Sequence, residues 1–172
     1  MKLLFSKNIG MFLFALIFVN VEANAQDANF IKMIDSILEK TIPVINSETL
    51  FNEISYHRPL VILDARESIE YEISHIEEAI YVGYDSLDFS ILKRIPADNK
   101  IVIYCSIGYR SEKVAEEVNK TGHNNVYNLY GGIFDWVNSG YTIVDSSGRT
   151  HNIHPFNKDW EKWLEKGVIK YE

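Results

Sequence analysis

The segment CSIGYRS, residues 105–111, holds the side chains with the clearest chemical use. Cys105 is the only cysteine among 172 residues, Arg110 follows it after four others, and Ser111 comes next. Just upstream, Ile101 to Tyr104 is a β-branched and aromatic run, the composition of a buried strand. Just downstream, Val114, Ala115 and Val118 recur at helical spacing, with Glu112, Lys113, Glu116 and Glu117 on the other side. The thiol therefore stands at a strand's end, in a tight loop bent at Gly108, at the mouth of a helix. A thiol is a weak nucleophile until ionised. The unpaired N–H groups and macrodipole of a helix N-terminus favour the thiolate, and a curled loop adds further N–H donors. Arg110 brings a full positive charge to the rim, and Ser111 fits the N-cap or first turn. Such a cup suits an anionic atom bound to, or approaching, the sulfur.

A strand–loop–helix unit needs a sheet to hold it, and the rest of the chain supplies one. Residues 27–40 place Phe30, Ile31, Ile34, Ile37 and Leu38 at helical spacing, and Pro43 ends the predicted helix. Ser47 is the expected N-cap of a second helix with Leu50, Phe51 and Ile54 inward. Leu60 to Leu63 reads as a strand ending in Asp64, 67–73 as a short helix, and Ala79 to Val82 as a short strand. Leu87 to Arg94 reads as a helix stopped by Pro96, Val126 to Leu129 as a strand, and Gly132 to Asn138 as a helix. Strands that are apolar on both faces and alternate with helices predict an α/β domain with a mainly parallel sheet. Ligands of such sheets bind at the carboxyl ends of the strands, where Cys105 lies. The expected organisation is a helical segment over 26–43, the domain over 44–145, and a tail over 146–172 packed on it. Within that tail, Asn157 to Lys166 reads as an amphipathic helix carrying Trp160, Trp163 and Leu164.

Lys2 and Lys7, the apolar run from Ile9 to Val21, and Ala23-Asn24-Ala25 predict a secretory signal over residues 1–25, with Gln26 the first mature residue. The run is shorter than the ~20 residues of a spanning helix, so an exported, periplasmic protein without stable membrane insertion is expected. Removing Lys2, Lys7 and Glu22 takes the formal charge from −7 to −8. An acidic chain without a basic cluster excludes nucleic acid as the expected partner. One cysteine allows no internal disulfide. It is inert and buried, paired between chains, or reactive, and its place before a helix favours the last. His151 and His154, beside Pro155, lack a matching Cys or acidic cluster, so they are read as a surface pair and no metal or cofactor is expected.

Three ordered blocks resemble the rhodanese-like sulfurtransferases. CSIGYRS resembles their active-site loop. LVILDARESIEYEISHIEEAIYV resembles their first signature through Asp64, Arg66, Glu67, Glu70, His75, Ile76 and Ala79. NVYNLYGGIFDWVNSGY resembles their third, with its G-G-I-x-x-W. The resemblance covers roughly residues 44–145. It implies a single rhodanese-like α/β domain, with a five-stranded, mainly parallel sheet and helices on both faces. It implies that Cys105 takes a sulfane sulfur from thiosulfate, polysulfide or a thiol persulfide, and passes it to a thiol or cyanide-like acceptor, a partner protein's thiol included. Ser106, Ile107, Gly108, Tyr109, Arg110 and Ser111 would bind the substrate, with Asp64 and Arg66 in support. Two departures stand out. Ser74 replaces the glycine that usually precedes H-I, and the loop interior lacks the extra basic residues of thiosulfate-proficient members. The latter makes thiosulfate an expected poor donor.

Two other classes compete. Related phosphatases place five residues between cysteine and arginine; four make a cup too tight for phosphate. A binding module without turnover has no need of the cysteine, and thiol–disulfide chemistry without a resolving cysteine allows only mixed disulfides. Asp64, Arg66, Glu67 and Glu70 are read as a charge network at the strand end, His75 as a turn residue, Trp136 as core, and Tyr109 as the aromatic that touches substrate.

Overall fold

The computed structural model describes residues 28–172. The expected signal over 1–25 lies outside them. After a helix over 28–37 (α1), the order is β1 Val44–Ile45, α2 Ser47–Ser55, β2 Leu60–Asp64, α3 Ser68–Ile73, β3 His75–Ile76 and β4 Ile80–Tyr81. A 3-10 turn, Ser90–Arg94, leads to β5 Lys100–Tyr104, α4 Tyr109–Lys120, β6 Val126–Leu129 and α5 Gly132–Asn138. The C-terminal part adds β7 Ile143–Asp145, β8 Gly148–Thr150, β9 Asn152–Ile153, a 3-10 turn at Glu161–Trp163, and β10 Val168–Ile169.

Strands β1, β6, β5, β2 and β4 lie side by side in that order, every neighbouring pair parallel. Successive residues of a strand face opposite sides of a sheet, and both sides are covered. From β5, Val102 and Tyr104 join Phe30, Ile34, Leu50, Ile133 and Phe134 on one side. Ile101 and Ile103 join Val114, Ala115 and Val118 of α4 on the other. Helices on both faces explain why these strands are apolar throughout. Register places Asp64 opposite Tyr104, so β2 and β5 end together and Cys105 emerges beside Asp64. No helix of the described residues is long and apolar enough to cross a membrane.

The flanks are tied into this layout. Glu112, assigned to the solvent side by periodicity, is buried. Its carboxylate accepts the backbone N–H groups of Glu39 (3.0 Å) and Thr41 (2.9 Å), fixing the chain after α1 against α4. At the other end, the Phe30 and Trp163 rings meet at 5.7 Å, and Ile153 is fully buried in the α1 side of the core.

Three local expectations give way to tertiary contacts. Asn46, not Ser47, caps α2, accepting the Thr49 N–H at 2.8 Å, while the buried Ser47 hydroxyl donates to Asp135. The stretch 87–94 forms only the 3-10 turn at Ser90–Arg94, entered through the Asp88 carboxylate on the Ser90 N–H and closed before Pro96. The stretch 157–166 likewise forms no α-helix. Asn138 takes the Trp163 carbonyl and the Glu165 N–H, both at 2.8 Å, the groups a continuing helix would use.

Replacing Glu112 by alanine strands two backbone donors that this carboxylate now satisfies. The expected loss is about 1–3 kcal/mol, read as a lower urea midpoint at unchanged slope; an unchanged midpoint would show that the anchor carries no stability.

Candidate active site

The loop after β5 is held from behind. α5 donates the N–H of Ile133 to the Cys105 carbonyl (2.9 Å) and that of Phe134 to the Ser106 carbonyl (3.1 Å). The Gly108 carbonyl accepts from Asn128 Nδ2 (2.9 Å), Ser111 Oγ (3.1 Å) and the Glu112 N–H (3.1 Å). On the front of the loop so held, the Gly108 N–H donates to Cys105 Sγ at 3.1 Å. Gly108 caps α4 with φ of 115°, a left-handed conformation that favours glycine. The N–H groups of Tyr109 to Ser111 open α4, where a helix has no carbonyl to offer them.

Two ion pairs frame the loop. Arg66 grips Asp64 through Nε (3.0 Å) and Nη2 (2.7 Å), with both side chains fully buried, and its Nη2 also donates to the Ser74 carbonyl at 2.6 Å. This pins the end of β2 to the start of β3. Ser74, the departure from glycine, is extended (φ −173°), so a side chain there costs no backbone strain. Arg110 forms a two-pronged pair with the buried Glu70 (2.6 and 2.8 Å) and donates to Ser106 Oγ at 2.9 Å. Ser106 Oγ in turn donates to Glu70 at 3.0 Å. Burial opposes ionisation of Glu70, but the hydrogen bonds and charge of Arg110, aided by Arg66, prevail and hold its carboxyl below the usual range. The positive charge expected free at the rim is thus neutralised within the protein.

Cys105, Ser106, Ile107, Tyr109 and Arg110 line a cavity of about 420 Å³ over the thiol. Ser111 does not line it: its hydroxyl is buried behind the loop, on Asn128 Oδ1 (2.7 Å) and the Gly108 carbonyl. Asp64 and Arg66 stand behind the strand ends. His75 bonds the Tyr71 carbonyl through Nδ1 at 2.9 Å. His154 departs from the surface reading: it is buried, and its Nδ1 accepts the Phe156 N–H at 3.0 Å. Burial chiefly lowers its affinity for a proton, with Arg66 and Arg110 adding to this against the opposing pull of Glu70. Four residues that the sequence did not place at the site complete it: Asn128 behind the loop, and Ile37, Phe156 and Trp160 on the cavity wall. A polar residue inside the otherwise apolar run of β6 was the legible signal for Asn128. The three cavity residues carried no such signal.

The rhodanese-like domain family matches residues 48–139. The chain belongs to that family. The rhodanese-like chain is 33% identical over 91 residues to the tRNA uridine(34) hydroxylase of Salmonella newport, covering 50% of this chain and 26% of that protein. It thus spans about a quarter of the length of the curated relatives it matches. A rhodanese-related protein from Thermoplasma volcanium superposes with a TM-score of 0.52 at 28% identity, over 59% of this chain and 97% of that one. The thiosulfate sulfurtransferase of Pseudomonas aeruginosa superposes with a TM-score of 0.58 at 22% identity, over 78% of this chain and 25% of that one, a likeness of fold.

Glu70 ties acid stability to this site. Its folded-state value is depressed, so the unfolded chain takes up the proton first. The stabilisation is whole above the ordinary Glu value of 4.5 and is lost as pH falls through the lower folded one. Glu70→Gln is expected to cost about 1.5–3 kcal/mol at pH 7, with the gap to wild type closing below pH ~4. Urea midpoints across that range read both; a gap that is independent of pH would refute the assignment.

Proposed function

We propose that this rhodanese-like chain is a sulfurtransferase that carries a sulfane sulfur as a persulfide on Cys105. The observation that carries the reading is the Cys105 sulfur under the Gly108 N–H, bordering an open cavity at the carboxyl edge of the sheet. The Cys105 thiolate attacks the outer sulfur of a donor, whose own bond to that sulfur breaks and whose leaving group departs with the electron pair. The new terminal sulfur is an anion, and backbone N–H groups fixed before the reaction stabilise it without reorganising. A cyanide or thiol acceptor then attacks the terminal sulfur, and Cys105 leaves as thiolate. Arg110, locked to Glu70 and Ser106, holds the loop in shape.

Sulfur transfer is favoured over a role on tRNA, the substrate in the name of the Salmonella relatives. An acidic chain of net charge −7 offers little to a phosphate backbone. We read thiosulfate, polysulfide and thiol persulfides as the candidate donors, and a small thiol, cyanide or a partner protein's thiol as the acceptor. The expected place of work is the periplasm, after loss of residues 1–25.

Intact mass of the protein after exposure to polysulfide or thiosulfate, beside Cys105→Ser, tests the reading. One added sulfur, removed by cyanide and absent from the variant, is expected. No adduct from either donor on a Cys105 that still alkylates would overturn it, leaving a binding module or a thiol partner.

A further inference from the structure

Three of the eight residues that line the cavity over Cys105 come from parts of the chain outside the matched domain. Ile107 and Tyr109 come from the loop and α4, but Ile37 comes from α1, and Phe156 and Trp160 from the C-terminal segment. The family match runs from 48 to 139, so these last three are additions to it. A volume of about 420 Å³ is within the range that encloses a small organic molecule.

The lining is mostly apolar, and its one charged side chain is already occupied. Arg110 faces Glu70 through two hydrogen bonds, and its guanidinium lies 4.8 Å from the centre of the Phe156 ring. A dianion such as thiosulfate would give up hydration here for no unpaired cation. An apolar group would gain by burial. Phe156 is also held at φ of 68°, left-handed backbone that a side chain rarely adopts. The bond from its N–H to His154 Nδ1 helps to keep it there. Strain retained at a cavity wall marks a ring whose position matters.

We propose that the pocket selects sulfane-sulfur donors whose leaving group carries an apolar substituent of aromatic size, with Phe156 and Trp160 as specificity-determining residues. This rests on the persulfide reading of Cys105. For an organic thiosulfonate, R–SO₂–S⁻, the Cys105 thiolate bonds to the terminal sulfur, the bond from that sulfur to the sulfonyl sulfur breaks, and R–SO₂⁻ leaves with the electron pair. Cyanide removes the transferred sulfur as thiocyanate and restores the thiolate. The R group occupies the apolar space while the reacting sulfur meets the loop N–H groups.

The test compares benzenethiosulfonate, methanethiosulfonate and thiosulfate as donors with cyanide as acceptor, each kcat/KM divided by the donor's rate with free cysteine. In all three the same type of bond breaks, and they differ in what lies beyond it. Benzenethiosulfonate is expected to exceed methanethiosulfonate by about tenfold or more, with thiosulfate last. Phe156→Ala combined with Trp160→Ala is expected to bring the first ratio toward one, whereas Trp160→Phe alone keeps most of it. A ratio between donors does not depend on the fraction of protein that folds. Equal use of the two thiosulfonates, a preference for thiosulfate, or an unchanged ratio in the double variant would overturn the inference and leave the persulfide reading standing. Sulfur on Cys105 from polysulfide but from none of the three donors would overturn the inference alone, whereas no sulfur from polysulfide either would overturn the persulfide reading, and the inference with it.

Discussion

The cysteine-bearing edge depends on the approach of Gly132 to the loop behind Cys105. A Cβ at Gly132 would lie 2.4 Å from the Cys105 carbonyl oxygen and 2.7 Å from the Ile107 nitrogen, both backbone atoms with no room to give. Its φ of 57° adds a second reason for glycine. Only with this contact can the first turn of α5 reach the carbonyls of Cys105 and Ser106. A peptide group whose carbonyl is held on one side presents its N–H on the other. The close contact behind the loop fixes the backbone on either side of Ser106, and with it the place where the Gly108 N–H meets the sulfur. Asn128 and Ser111 do the same for Gly108, so the loop is clamped along its length by α5, β6 and α4.

Electrostatics around the loop is closed on itself. Moving charges out of water is costly unless each finds a partner, and here both cations beside the cysteine have one. Arg66 is held by Asp64 and the Ser74 carbonyl, Arg110 by Glu70 and Ser106. The two pairs link β2, the α3 region and the loop into one rigid edge. What confronts a ligand is then backbone dipole at the sulfur and hydrocarbon around it, with little free charge.

How far this was legible from the sequence follows the range of each contact. The strand β6 and helix α5 coincide with the expected spans because their cues are local periodicity and glycine. Of the charge network read at the strand end, the Asp64–Arg66 pair was legible because it is local; Glu67 instead caps α3 in a capping box with Glu70, and Glu70 pairs with Arg110, 40 residues on. Glu112 was misassigned because helical periodicity puts it on the polar face, while its partners, the N–H groups of Glu39 and Thr41, are more than 70 residues away. The tail's helix failed for the same reason: amphipathic spacing was present, but Asn138 competes for the backbone groups. The cavity contacts of Ile37, Phe156 and Trp160 could not be placed from the sequence, because α1, the cysteine loop and the C-terminal segment are far apart in the chain and meet only in the folded domain.

That division has a chemical logic. The matched domain supplies the sulfur, the N–H donors and the paired charges, all of which concern the atom being transferred. The flanks supply only hydrophobic surface, which concerns whatever that atom is attached to. The net charge of −7 works in the same direction, because a negative field lowers the local concentration of a dianion more than that of a monoanion. A dianion is thus opposed by the field outside the cavity and by the loss of hydration inside it, whereas a monoanionic donor with an apolar substituent meets the weaker field and gains from burial of that substituent. Selection by the flanks is separate from the hydrogen bonds that hold the loop: among the described residues no cavity-wall residue from outside the domain bonds to the loop backbone, and Phe156 meets Arg110 only through its ring.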